Sequence, residues 1–272
     1  MTLHVARGLL RCPHCAADLN ADGARWVCAA GHSFDVAKQG YLNLAAGPEP
    51  ANADTAAMLE ARGRVLSSGL FGFVSRALDE HVPLTGIETV LEAGAGTGHY
   101  LAELVEARPP ARGLALDVSR AAARRAARAH HRVASLVADV WRGLPVRTGA
   151  VDVVLCVFAP RNLPEFARVL RPDGRLLVVT PTAAHLAGLR ARYGLLGIDD
   201  DKQTRLRSAA SDRFELEHTR TYRLQATIAA DLVDDVIRMG PNAFHDPPHA
   251  DAAEQIELSV ELSVFRPVSI TA

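Results

Sequence analysis

The spacing of apolar residues along the chain changes twice. From Met58 to Val82 they recur at the intervals of a helix. Further on, short apolar runs alternate with segments of helical spacing, which predicts strands and helices in turn. The strands are predicted at Thr89–Ala93, Gly113–Asp117, Val133–Ala138, Val151–Val157 and Arg175–Thr180, with helices near Tyr100–Ala107, Arg120–Ala129 and Leu163–Leu170 between them.

Such alternation predicts an α/β fold, in which a doubly wound, Rossmann-like parallel sheet carries helices on both faces. Ligands of this architecture bind beyond the carboxyl ends of the strands. Two late segments, "RTYRLQA" and "QIELSVELSVF", are rich in β-forming residues. We expect them to add the last strands of the sheet, one of them antiparallel.

The stretch "AAGPEPANADTAAM", rich in Ala, Pro, Asn and Asp, reads as a linker. It divides the chain into a small N-terminal module at residues 1–46, a linker at 47–57 and a catalytic domain at 58–272. The composition adds that the whole is a globular protein: 49% of the 272 residues are hydrophobic, which is enough for a sizeable core.

The net charge and the apolar pattern limit the classes of partner that the chain can have. The formal net charge of −1 argues against coating of nucleic acid by bulk electrostatics, so any polyanionic partner must be met by a local patch. No apolar run approaches the roughly 18 residues that span a bilayer, and the start lacks the apolar core of a secretory signal. We therefore expect a cytoplasmic protein with no membrane partner.

Three of the four cysteines lie close together near the start of the chain. In the cytoplasm thiols stay reduced, so a cluster of cysteines indicates a metal site rather than disulfides. The spacing Cys12-x2-Cys15, twelve residues, Cys28-x3-His32 supplies four ligands for a tetrahedral zinc ion. All four positions come from protein, which predicts a structural zinc that folds an otherwise thin module.

A glycine-rich turn follows the first predicted strand, in "VLEAGAGTGHY". Gly94, Gly96 and Gly98 allow the backbone to approach a ligand at a helix N-terminus. The dinucleotide fingerprint G-x-G-x-x-G would need a glycine at position 99, where this chain has His99. The pattern is instead G-x-G-x-G, which makes NAD a less favoured ligand. Asp117 ends the next strand, where it can accept ribose hydroxyls, and Asp139 ends the third, where it can accept an adenine amino group. Together these residues predict an adenosine site.

These residues resemble the class I S-adenosylmethionine-dependent methyltransferases, with Glu92 and the glycine turn as the first motif. The front segment "CPHC…C…GHSFDVAKQGYLNL" resembles the zinc module of the 23S rRNA guanine-N1 methyltransferase family. The segments "FAPRNLPEFARVLRPDGRLLVVTPTAAHL" and "MGPNAFH" are also similar to that family, so the resemblance covers nearly the whole chain.

The resemblance implies transfer of a methyl group to N1 of a guanine in a hairpin loop of domain II of 23S rRNA. "MGPNA" looks more like the branch that modifies nucleotide 748, which includes macrolide resistance enzymes, than the branch that modifies 745. The resemblance also implies a homodimer. The cofactor contacts that it implies are Gly96, Thr97, His185 and Phe71, the last in place of a frequent tyrosine.

Two questions stay open in the sequence. The proton acceptor for guanine N1 could be His185, Asp139 or a histidine of "NAFHDPPH". Trp26, among the basic residues of the zinc module, either stacks on RNA or lies in the core of the module. Two rival functions also stand: a methyltransferase of small molecules with a zinc-stabilised lid, and a zinc-dependent RNA-binding adaptor whose methyltransferase fold is inactive.

Overall fold

The computed structural model describes residues 2–198 and 202–268. The N-terminal segment opens with a 3-10 helix, Thr2–Ala6, and then forms a small antiparallel sheet. Its strands, in the order β1-β2-β3, are β1 (Leu19–Asp22), β2 (Arg25–Cys28) and β3 (Ser33–Asp35). Trp26 in β2 is only 2% exposed and packs in the core. The interpretation of Trp26 as a stacking surface for RNA is therefore wrong.

The main sheet has eight strands in the order β10-β11-β9-β8-β5-β6-β7-β4. Their bounds are β4 (Leu42–Asn43), β5 (Thr89–Ala93), β6 (Arg112–Asp117), β7 (Val133–Val137), β8 (Val151–Val157), β9 (Leu170–Pro181), β10 (Phe214–Ile228) and β11 (Glu254–Pro267). The strands from β9 to β4 run parallel to one another. β11 is antiparallel to both of its neighbours, β9 and β10, so β10 runs in the same direction as the parallel strands. The predicted doubly wound sheet is confirmed, and one of its last two strands is antiparallel as expected.

Eight helices accompany the strands in the described ranges. They are α1 (Ala56–Ser67), α2 (Gly72–His81), α3 (His99–Glu106), α4 (Arg120–Ala126), α5 (Leu163–Val169), α6 (Ala187–Tyr193), α7 (Lys202–Ala210) and α8 (Ala230–Arg238). The helix expected from residue 58 to 82 is two helices, because the chain turns at Gly69 with φ of +78°. Within the described residues, no helix combines the length and the apolar character needed to cross a membrane.

The core consists of two layers, one on each face of the sheet. Alternate residues of β5, β6 and β8 point into one layer or the other, so these strands are buried on both sides. Leu3, Leu10 and Trp26 of the N-terminal segment belong to the same layer as Leu136 and Val146. Leu10 also pairs directly with Val146, and β4 extends the main sheet beside β7. The N-terminal segment is thus built onto the large sheet.

Candidate metal centre and cofactor cavity

The four residues predicted to hold zinc lie together in the N-terminal segment. The Sγ atoms of Cys12 and Cys28 are 3.5 and 3.4 Å from His32 Nδ1, and those of Cys15 and Cys28 are 3.6 Å apart. All four ligand atoms lie within 4.8 Å of one another. A tetrahedral ion with Zn–S bonds of about 2.3 Å places its sulfur ligands about 3.8 Å apart. The donor set and its spacing therefore fit zinc.

Backbone geometry explains why the four ligands converge. The first pair sits on a tight turn in which the Ala16 amide donates to the Cys12 carbonyl, and Ala16 itself has a φ of +60°. The second pair closes a loop after β2, where the Cys28 amide donates to the His32 carbonyl. Among the described residues, this is the one group of three or more His, Cys, Asp or Glu side chains close enough to share an ion.

A cavity of about 540 Å³ lies beyond the carboxyl ends of β5, β6, β7 and β8. Seven of the eight residues predicted to bind the cofactor line it, namely Phe71, Gly94, Gly96, Thr97, Asp117, Asp139 and His185. The eighth, Gly98, instead starts α3 with a φ of +77°. The cavity thus occupies the place where a doubly wound sheet binds its ligand.

The glycine turn holds the floor of the cavity open. At Gly94, with φ of +72°, an added Cβ would collide with the side chain of Ala159 in the loop after β8. At Gly98 an added Cβ would lie 3.2 Å from Ala126 of α4, tighter than ordinary packing. Both positions therefore require glycine, because the turn packs directly against two neighbouring elements.

Asp117 and Asp139 stand at the ends of adjacent strands. The two carboxylate oxygens of Asp117 accept the amides of Gly96 at 2.8 Å and Ser119 at 2.9 Å. Burial raises the pKa of Asp117 in spite of these bonds. Asp139 accepts the amide of Trp141 at 2.9 Å. Each carboxylate retains lone pairs that can accept hydrogen bonds from a ligand.

Glu92, at the end of β5, is a buried acid that faces the cavity. Its Oε2 accepts the Leu101 amide at 3.2 Å. Burial raises the pKa of Glu92 to about 8, with a further contribution from the charge of Asp117. A cationic ligand group beside this carboxylate would favour its ionised form, and the ammonium of an amino acid has that charge.

His185 lies in a group of three aromatic rings that line the cavity. Its ring centroid is 6.3 Å from Phe71 and 6.1 Å from Phe158, whose backbone adopts a φ of +54°. The Ser259 amide donates to His185 Nδ1 at 3.2 Å, so in the neutral ring the proton is on Nε2. Burial and the charge of Arg190 lower the pKa of His185 to about 4. His185 is therefore oriented to donate a hydrogen bond from Nε2, which favours a donor role over the role of proton acceptor.

Arg62 of α1 closes one side of the cavity and was missed in the sequence. Its guanidinium binds the Asp54 carboxylate at 2.5 Å and the Met239 carbonyl at 2.7 Å. It thereby ties the linker to the loop after α8. Of the described lining residues, Arg62 is the one arginine. Nothing in the local sequence distinguishes it from Arg64, the other arginine of α1, because its partner Met239 is distant along the chain.

The loop residue Asn162 and the histidines of the C-terminal segment have structural partners. Asn162 accepts the Glu165 amide at 3.3 Å and caps α5. His249 pairs with Asp234 at 2.6 Å, and neither His249 nor His245 is among the described residues that line the cavity. Of the proposed proton acceptors, Asp139 and His185 line the cavity.

Comparison with protein families identifies two regions of the chain. Residues 10–46 match the zinc ribbon family described as "RlmA, N-terminal". Residues 90–174 match the family described as "Methyltransferase domain". The first region contains all four clustered metal ligands, and the second contains the glycine turn with Asp117 and Asp139. The first match corresponds to the zinc site, and the second corresponds to the binding of S-adenosylmethionine.

The chain is also similar to whole proteins. It is 43% identical over 275 residues to the 23S rRNA (guanine(748)-N(1))-methyltransferase of Streptomyces fradiae, covering 95% of this chain and 97% of that protein. It is 44% identical over 283 residues to a protein of Micromonospora griseorubida provisionally named as a 23S rRNA (guanine-N(1)-)-methyltransferase, covering 97% and 94%. Among solved structures, the YcgJ protein of Bacillus subtilis shares the fold with a TM-score of 0.50 and 14% identity, over 72% of this chain and 98% of that one.

Proposed function

The chain belongs to the family of 23S rRNA guanine-N1 methyltransferases, and we propose on this basis that it methylates N1 of guanine 748, rather than 745, in a hairpin loop of domain II. The observation that carries the proposal is the union of a zinc ribbon with an adenosine-type cavity in one chain. The preference for 748 rests on the name of the Streptomyces fradiae relative and on the segment "MGPNA".

Bound in the cavity, S-adenosylmethionine supplies an activated methyl group on a sulfonium that leaves as a neutral thioether. The task of the chain is to hold and align the reactants. Asp117 would accept the ribose hydroxyls and Asp139 the adenine amino group. Glu92 would face the methionyl ammonium, and the turn at Gly94, Gly96 and Thr97 would allow close approach of the backbone. Gly98 would act indirectly, by starting α3.

The aromatic wall of the cavity would complete the site. Phe71 and His185 would contact the cofactor, as the resemblance implies, and His185 could do so through its Nε2–H group. The target guanine must be unpaired to enter, and a hairpin loop meets that condition at a cost of a few kcal/mol at most.

The proposal also includes the role of the zinc ribbon, the oligomeric state and the cellular effect of methylation. Four protein ligands leave no open coordination position on the zinc, so the ion would have a structural role. The zinc ribbon would then serve as a rigid element that recognises 23S rRNA. The resemblance favours a homodimer and a cytoplasmic enzyme. Methylation at 748 would confer resistance to macrolides of the tylosin type in cells that carry the protein.

Primer extension on 23S rRNA tests the site of methylation, because a methyl group on guanine N1 blocks pairing and stops reverse transcriptase. RNA from cells that lack methylation in this hairpin is compared with and without expression of the protein. We expect a new stop at 748, absent with Asp117→Ala, together with increased tolerance of tylosin. A stop at 745 would correct the nucleotide. Tight cofactor binding with no stop anywhere in 23S rRNA would support a small-molecule methyltransferase or an RNA-binding adaptor instead.

A further inference from the structure

The two tryptophans of the chain have opposite environments. Trp26 is buried in the N-terminal segment, whereas Trp141 is 65% exposed. Trp141 lies on a single 3-10 turn, Val140–Arg142, directly after β7. The turn is fixed, because Asp139 accepts the Trp141 amide and Arg142 donates to the Ala46 carbonyl at 2.8 Å. A large aromatic side chain is thus presented to solvent on a well-supported piece of backbone.

Trp141 stands between two concave surfaces. One is the cofactor cavity, and the other is a neighbouring groove of about 550 Å³. Trp141 and Pro160 line both, so the groove begins at the rim of the cavity. The rest of the groove combines apolar side chains with two arginines, and its lining includes Leu163, Leu206, Ala209, Arg161 and Arg205.

This combination suits a nucleotide better than a purely apolar ligand. An exposed indole offers a flat surface on which any base can stack, and an arginine nearby complements a phosphate. Arg161 follows Pro160 directly in the lining of the groove, where its guanidinium can meet an anion. Because the groove meets the cavity at Trp141, a strand that places one base in the cavity would pass its neighbour over the indole.

We propose that the groove binds the nucleotide adjacent to the target guanine, with its base stacked on Trp141 and its phosphate beside Arg161. This inference rests on the proposed function, since it assumes that the base entering the cavity belongs to an RNA strand. It assigns to Trp141 the contact with RNA that the sequence had suggested for Trp26.

Kinetics with a synthetic RNA hairpin carrying the 748 loop test the assignment. Stacking of one base on an aromatic side chain corresponds to roughly tenfold to a hundredfold in affinity. We expect Trp141→Ala to raise the KM for the hairpin by about that factor, and Trp141→Phe to remain within a few-fold of wild type. The Kd for S-adenosylmethionine should not change in either variant.

Two controls isolate the stacking contact. Leu84 is 70% exposed in the connection between α2 and β5, at the opposite end of the strands from the cavity. Leu84→Ala removes a comparably exposed apolar side chain and should leave the KM for RNA unchanged. Hairpins with an abasic site on the 5′ or 3′ side of the target guanine locate the stacked base, because one of them should remove the difference between wild type and Trp141→Ala.

Fluorescence gives a readout that does not depend on turnover. Since Trp26 is buried, quenching of tryptophan emission by the hairpin should come from Trp141 and disappear in Trp141→Phe. If the wild type methylates the hairpin without quenching, and Trp141→Ala has an unchanged KM for RNA, the proposed binding of RNA in the groove is refuted but the proposed function is not. Quenching without methylation would support RNA binding in the groove and refute the proposed function. The absence of both quenching and methylation would refute both proposals. A raised Kd for S-adenosylmethionine in Trp141→Ala would mean that the indole covers the adenine, which also overturns the proposal.

Discussion

At the scale of single residues, the charge of Glu92 depends on what fills the cavity. In the free protein its pKa is raised from 4.5 to about 8 by burial, so at pH 7 the protonated carboxyl predominates. A cationic ammonium beside it would shift the pKa downward and expel the proton. Since the acid is ionised only when the ligand is bound, binding near neutral pH must release protons to solvent.

We therefore predict that S-adenosylmethionine binding at pH 7 releases close to one proton, and that Glu92→Gln removes this release and weakens binding. Titration calorimetry in buffers of different ionisation enthalpy measures the proton count. Glu103→Gln, an exposed acid on α3, is the matched control and should behave as wild type. Equal proton release in wild type and Glu92→Gln would show that Glu92 does not meet the ammonium.

His185 allows a second test at this scale, because its proton position is fixed by the Ser259 amide. A donor role can be retained by glutamine, whose amide nitrogen approximates Nε2, whereas a base role cannot. We predict that His185→Ala lowers kcat/KM by about fivefold to tenfold, the usual effect of one lost hydrogen bond, and that His185→Gln recovers most of it. The pH profile of the wild type should lack an inflection from His185 above pH 5, since its pKa is about 4. Equal and severe losses in both variants would contradict the donor role.

At the scale of elements, the turn between β5 and α3 depends on contact with the loop after β8. Gly94 and Gly86 both have a positive φ, at +72° and +80°, but only at Gly94 does an added Cβ collide with another residue, Ala159. Gly86 has open space within 4 Å. Alanine at either position strains the backbone by roughly 1 kcal/mol, so the pair separates strain from collision.

We predict that Gly94→Ala lowers the melting temperature by clearly more than Gly86→Ala and abolishes detectable cofactor binding, because Ala159 is displaced together with Phe158 beside it. Thermal melting with and without S-adenosylmethionine measures both effects. Gly86→Ala should keep the stabilisation by cofactor. If the two variants melted alike and bound alike, the contact between Gly94 and Ala159 would not support the cavity.

The elements also show what can be predicted from sequence alone. Thr89–Ala93 and Val151–Val157 have the predicted bounds, because each is a short, mostly apolar run that is followed by residues that favour turns. The two-residue strand β4 gives no periodic signal, since its pairing with β7 is a tertiary contact. The metal ligands and the strand-end aspartates could be predicted, because their signal is local spacing in the sequence. Arg62 and the exposure of Trp141 could not be predicted, because they depend on chain segments that are far apart in sequence.

At the scale of the whole molecule, the zinc ribbon and the catalytic sheet share structure. Arg112 of β6 donates to the Val5 carbonyl at 3.0 Å, and the Arg147 amide donates to the Leu9 carbonyl at 2.8 Å. The core layer that contains Leu10 and Trp26 continues into β5, β7 and β8. The sequence predicted a separate module before a linker, and that division stays a prediction. The shared core nevertheless implies that the two parts unfold together.

Removal of zinc should consequently affect the entire fold. Cys15 is exposed, so Cys15→Ser loses a metal ligand without loss of packing. We predict one calorimetric transition in the wild type. In Cys15→Ser this transition should shift to a lower temperature without splitting, and the apparent Kd for the cofactor should rise as the folded fraction falls. Cys156→Ser, at a buried cysteine outside the cluster, should keep stoichiometric zinc and the response of the wild type to a chelator. Two separate transitions, with the cofactor stabilising only the upper one after zinc is lost, would mean that the ribbon unfolds alone and that the shared core contributes little to cooperativity.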